Sequence, residues 1–495
     1  MRRAQYLSRR MADTSTDLPK APRFYALDAL RGLAILGMIL SGQLPFGEHA
    51  LPPWMYHAQV PPPEHQWIST LAGITWVDLV FPFFIFAMGA AIPLAFSRRL
   101  ELGTPRWKIA LSILERGFLL AFFALYVQAI RPETLSEHPF GKTWGIALLG
   151  FALLFPILTR LPDSWPALAR WAIRLAGWLG AGLVLALVRY PDGSGFSLNR
   201  SDIIIVVLAN LALFGSLLWW LTHNNLLLRL GVFGILIALR LSNMPQPIQG
   251  WVSEVWRWSP APWIYKLYYL QYLFIFIPGT IAGELIREAM IQAPAVKPKL
   301  GTAKPWRPPR LLAIMLLIFC LTVTTVVGLK ARWLVGTTLA DLLFCVLGLW
   351  LMLRPFAATE VLVHRLFNWA VYWLALGLFF EPYEGGIKKD RATLSYYFIT
   401  SGLAICVLII FNVLVDVLGR KRWVQLLIDN GQNPMIAYAG INNLVIPLLA
   451  ISGAETLLSR LAVSPWLGFV RGAIITLLLA LSVSLFTKAK VFWRT

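Results

Sequence analysis

Apolar residues fill runs of about twenty positions along almost the whole chain, separated by short polar segments rich in turn-formers. A run of that length matches the roughly 30 Å of hydrocarbon that an α-helix crosses at about 1.5 Å per residue. The runs predict spans near 26–44, 75–97, 109–129, 143–161, 167–188, 202–221, 225–241, 264–285, 311–329, 333–353, 361–381, 395–417, 434–452 and 466–487. About fourteen spans result, or about eleven to fourteen if short or Pro-containing segments are re-entrant. The predicted class is an all-α polytopic integral membrane protein.

Composition agrees. The 495 residues are 58% hydrophobic and only 14% charged, too little polar surface for a water-soluble globule. The net charge of +20 does not indicate nucleic acid, because the Lys and Arg residues lie between apolar runs instead of forming one basic module. With every span crossing, they concentrate on the side of the N-terminus, which the positive-inside rule makes cytoplasmic. Residues 1–24 then read as a cytoplasmic tail without the apolar core of a signal peptide. The Pro- and Lys-rich stretch 288–310 reads as a cytoplasmic linker between membrane halves at 25–287 and 311–495. Cys320, Cys345 and Cys406 all fall inside predicted spans without CxxC spacing, which indicates neither a disulfide framework nor a metal site.

The first outer loop, 43–75, lacks Lys and Arg but carries His49, His57 and His65, half of the six histidines. Histidine titrates near neutrality and suits general-base work, and the prolines at 52, 53, 61, 62 and 63 stiffen its surroundings. Asp78 follows in the first turn of an otherwise apolar span. An acid at that depth is expected either to cap the helix or to orient a loop histidine. On the cytoplasmic side, Asp28 and Arg31 share a helical face, as a local ion pair or as a contact for ligand phosphates. Lys388, Lys389 and Arg391 break the charge pattern by falling outside. They either bind something anionic or pair with Glu381, Glu384 and Asp390. Trp251, Trp256, Trp258 and Trp263 form an interfacial belt or a sugar-stacking surface, and Asn433 is a helix cap or a ligand contact.

The segments RFYALDALRGLAI, the His- and Trp-bearing loop and GITWVDLVFPFFIFAMGAA resemble the transmembrane acetyltransferase family of heparan-α-glucosaminide N-acetyltransferase and its bacterial relatives. YYLQYLFIFIPGTIAGE, ATLSYYFITSGLA and GQNPMIAY echo it more weakly, and the likeness is strongest over the first hundred or so residues. The resemblance implies cytosolic acetyl-CoA as co-substrate, no metal, and an acceptor sugar on the other side of the membrane. It implies catalysis by a histidine of the loop, a role that falls on His65 or His57, with Asp78 as the acidic residue of the motif.

The expected function is therefore transfer of an acetyl group to an extracytoplasmic sugar or amino sugar across a bacterial inner membrane. Arg31 and Asp28 would stand at the cofactor, and Glu381, Lys388, Lys389, Arg391 and Asn433 at the acceptor. A saccharide transporter that uses Asp78 for coupling, or a noncatalytic scaffold, fits the same spans, and so does a homo-oligomer.

Overall fold

The computed structural model describes residues 23–47, 50–243, 250–292 and 305–494. The tail before Arg23, His49, and positions 293–304 of the expected linker lie outside the described residues. Among the described residues, thirteen helices are long and apolar enough to cross a membrane. In chain order they are α1 Tyr25–Gly42, α2 Trp76–Glu101, α3 Arg106–Ala129, α4 Gly141–Leu158, α5 Ala167–Leu187, α6 Ile203–Thr222, α8 Leu267–Gln292, α9 Pro308–Lys330, α10 Leu334–Leu351, α11 Ala358–Phe380, α12 Leu394–Val417, α13 Pro434–Ile451 and α14 Pro465–Lys488. Between α6 and α8 lies α7, Leu226–Leu241, of 16 residues. The protein is an all-α polytopic integral membrane protein, with no strand among the described residues.

Despite its length, α7 packs antiparallel to its neighbour α8. Near its start Arg229 pairs with Glu284 at 2.7 Å, and near its end Arg240 bonds the side chain of Gln271. The described residues thus hold thirteen candidate spans and this shorter antiparallel helix, within the range of about eleven to fourteen expected from the apolar pattern. We call the side bearing residues 43–75 the loop face and the other side the opposite face.

Buried share separates centre from rim. In α8, α12 and α2 it is 89%, 83% and 72%, against 11% in α5 and 22% in α10, whose leucines project outward. An outer helix can show leucine to lipid at no cost, so burial and apolarity are uncoupled here. The inner helices pack through small residues instead. A Cβ on Gly89 of α2 would stand 2.3 Å from the Phe276 carbonyl oxygen, and one on Gly283 of α8 would stand 2.2 Å from that of Ala90. Only glycine lets the two backbones approach so closely. At the opposite face α1 meets the short helix Gln425–Gln432 in the same way, with a Cβ on Gly431 falling 1.8 Å from the Asp28 carbonyl oxygen.

Candidate active site

The loop at 43–75 is a built structure. The Tyr56 hydroxyl donates to the Pro45 carbonyl and accepts from the Leu51 N–H at 2.9 Å, cinching the loop around a ring packed by Phe46 and His65. Thr75 then starts α2, its hydroxyl donating to the Tyr56 carbonyl at 2.6 Å.

Asp78 closes this corner. Its Oδ2 accepts the backbone N–H of Thr75 at 2.9 Å and of Ala58 at 3.0 Å, while Oδ1 stands 2.8 Å from His57 Nδ1. The two roles expected of Asp78 are thus met together, because one oxygen caps the helix and the other holds an imidazole. The Asp78 side chain is 2% exposed and that of His57 is 37% exposed, so a buried acid orients a ring that reaches solvent. A carboxylate only accepts, so Nδ1 carries the hydrogen and the neutral ring keeps its lone pair on Nε2. The Tyr396 hydroxyl fixes the same turn by donating to the Asp78 carbonyl at 2.7 Å.

His65 stands elsewhere. Its ring makes edge contacts with Phe46 and Tyr56, both at 4.7 Å between centroids, and its two ring nitrogens have no hydrogen-bond partner among the described residues. Of the two histidines expected at Asp78, the geometry brings His57 there and puts His65 to work as an aromatic filler.

Residues 381–393 fold down onto the first loop. Gln59 grips Asp390 with both ends of its amide: Oε1 accepts the Asp390 N–H at 2.7 Å and Nε2 donates to its carbonyl at 3.0 Å. The Gly73 N–H donates to the Ile387 carbonyl at 2.7 Å, and Glu381 pairs with Arg332. This clamp brings Lys389 Nζ to 3.1 Å from His57 Nδ1 and 3.2 Å from Nε2. Burial pushes the Lys389 ammonium below its ordinary value, against the opposing pull of Asp78 and Asp390. Lys330, the last residue of α9, adds a second cation, its Nζ 3.5 Å from the Ala58 carbonyl.

Of the two alternatives for this loop, direct ion pairing within it is not seen among the described residues. Glu381 and Glu384 pair with Arg332 and Arg240 from other elements, and no ion pair joins them or Asp390 to Lys388, Lys389 or Arg391 among the described residues. Asn433 also lies away from this face. Its amide donates to Thr487 Oγ1 at 2.9 Å and to the Val491 carbonyl at 2.8 Å, tying α13 to the chain's end without capping the helix. Of the four tryptophans, Trp256 lines a polar cavity near Arg240.

A second feature opens at the opposite face, where a cavity of about 410 Å³ lies among α1, α2, α3, α6 and α13. Arg31, Arg99, Arg116 and Arg494 contribute to its wall, while Met38, Phe84, Met88 and Leu120 give it an apolar interior. Asp28 does not line it. Held by Arg23 at 2.6 Å and Arg31 at 3.5 Å, Asp28 helps set the guanidinium that does, which also donates to the Gly431 carbonyl at 3.0 Å. Tyr438 lines the cavity too and donates to Asp202, which Arg131 holds at 2.6 Å. Along α2 the cavity extends from Arg99 to Phe84, about 22 Å of helix, and Phe84 is about 9 Å of helix short of Asp78.

Arg99 and Arg494 read in the sequence as topological charges, and nothing there joined them to a cavity. Arg116 carries a clearer signal: an arginine ten positions into an apolar span is costly unless it faces a polar interior. Gln59 carries no signal, since a polar residue in a loop is ordinary.

A family model described as a domain of unknown function, DUF5009, matches residues 23–286, just over half of the chain. No curated protein matches it.

Proposed function

The chain belongs to the DUF5009 family, and from that premise we propose that it is a membrane-embedded acyltransferase. In this reading it moves an acetyl group from cytoplasmic acetyl-CoA to a sugar or amino sugar on the other side. The carrying observation is the His57–Asp78 pair at the loop face together with an arginine-walled cavity that rises towards it from the opposite face.

Each part suits its role. Guanidinium groups match phosphate oxygens, so Arg31, Arg99, Arg116 and Arg494 would take the nucleotide end of acetyl-CoA, and the apolar interior would take the thioester arm. Phe84 stands at the inner end, where the thioester must pass to approach the loop face. An acceptor N–H or O–H then attacks the thioester carbonyl carbon, the C–S bond breaks, and the acceptor proton moves to His57 Nε2 and on to the departing thiolate. Asp78 holds the ring in the tautomer that leaves Nε2 free to take that proton. Lys389, beside both ring nitrogens, offers positive charge to the oxyanion of the tetrahedral intermediate.

Acetyl-CoA turnover by the purified protein in lipid nanodiscs, with a panel of neutral and amino sugars, tests this reading. Transfer by wild type and its loss in His57→Ala support it. Well-folded protein that neither binds acetyl-CoA nor turns it over sinks it, and flux of a sugar in sealed vesicles would then favour a transporter.

A further inference from the structure

Two residues beyond Lys389 the clamped loop enters a second polar cavity, of about 320 Å³, lined by Arg240, Trp256, Tyr268, Gln271, Glu384 and Arg391. Its volume lies at the small end of the range for small-molecule sites, about 300–1,000 Å³.

Its hydrogen-bonding account is lopsided. Arg240 donates to Gln271 Oε1, to Glu384 Oε1 at 2.6 Å and to the Ala392 carbonyl at 2.7 Å. Glu384 Oε2 accepts the Leu394 N–H at 2.5 Å, so both carboxylate oxygens are engaged and its charge is matched by Arg240. With Oε1 fixed on Arg240, the Gln271 amide nitrogen is turned away, and it has no partner although the residue is only 2% exposed. Nε of Arg240 is likewise buried without a partner, and Arg391 has no ion pair among the described residues. Buried donors are almost always matched by an acceptor, so these two unpartnered donors, at a wall that also carries Asn243, mark a place for a further acceptor oxygen.

We propose that the cavity is the subsite for an oxyanion carried by the acceptor saccharide, a carboxylate or a phosphate or sulfate ester. Gln271, Arg240 Nε and Arg391 supply the donors, and Trp256 and Tyr268 supply ring faces for the sugar. Because Lys389 and Arg391 lie on one loop, an acceptor anchored here extends towards His57. The assignment deepens the acyltransferase reading and rests on it for the word acceptor, but binding can be measured without turnover.

The test is calorimetric titration of the full-length protein in zwitterionic nanodiscs, without acetyl-CoA, using glucuronic acid, glucose 1-phosphate and glucose. Either acidic probe should bind at least about tenfold more tightly than glucose, since hydrogen bonds to a charged group are stronger than those to a neutral one. Gln271→Glu keeps an oxygen for Arg240 while replacing the free donor with negative charge. Arg391→Asn removes the exposed cation at a backbone position, φ 42°, that asparagine accepts. Each should weaken the acids by about tenfold and leave glucose unchanged. Equal binding of acids and glucose, or retention of acid binding by folded Arg391→Asn, overturns the proposal. Loss of acid binding when anionic lipid replaces zwitterionic lipid at constant salt also overturns it, because a lipid headgroup then fills the subsite. Failure of acetyl transfer with these results intact would count against the dyad chemistry alone.

Discussion

Lys389 holds its ammonium nitrogen 3.1 and 3.2 Å from the two ring nitrogens of His57, across 332 positions of sequence. With Asp78 Oδ1 2.8 Å from Nδ1, the ring is held between an acid and a cation.

The same burial makes Lys389 a marker for the clamp. Its folded-state value lies below 10.5, chiefly through desolvation, so in the window below 10.5 the unfolded chain binds a proton that the folded chain does not. Stability therefore rises with pH across that window. Melting of wild type and Lys389→Met should show a difference that moves in favour of wild type as the pH climbs towards 10.5. A difference that stays flat would place Lys389 in solvent instead.

Asp78→Asn should separate chemistry from folding. Loss of the carboxylate deprives His57 of its orienting partner and should lower kcat by about 10²–10⁴-fold, with KM for acetyl-CoA little changed. Lost capping should cost about 1 kcal/mol, visible as a modest drop in melting temperature. The His57→Ala, Asp78→Asn double variant should be hardly slower than His57→Ala, since the two act as one unit.

His65→Phe should be nearly silent. The phenyl ring keeps both edge contacts and removes nitrogens that bond nothing among the described residues, so transfer should stay within about twofold of wild type even though φ 50° costs phenylalanine some stability. A loss as deep as that of His57→Ala would return the base to His65.

The arginine-walled cavity predicts a donor-side defect. Arg116→Gln should weaken acetyl-CoA binding by about tenfold. Met88→Trp, which fills the apolar interior, should abolish it, and both should spare sugar binding. Titration of each substrate separately checks this, and a matching loss of sugar affinity would count against two separate cavities.

Backbone contact between α2 and α8 sets a further expectation. Gly283→Val drives a side chain into the Ala90 carbonyl and should destabilise by more than the about 1–3 kcal/mol of ordinary overpacking. Size-exclusion profiles after mild heating would reveal it, and an unaffected profile would mean the helices are farther apart.

The helices were legible because twenty-residue apolar runs have almost no other use, and even the short α7 follows from the apolar run at 225–241. Asp78 was legible for the opposite reason, as a charge where charge is costly. The choice between His57 and His65 was not, since it depends on how Pro53–Met55 and the Tyr56 hydroxyl bend the loop. Nor was the pairing of Gln59 with Asp390, which joins two polar loops by backbone bonds that leave no imprint on residue type.

That pairing has a mechanical consequence. With Gln59 gripping the Asp390 backbone at both amide atoms, a force on the later loop is passed directly to the segment bearing His57. Imidazole and ammonium thus ride on one plate, so a shift of either loop carries the two together and keeps their spacing.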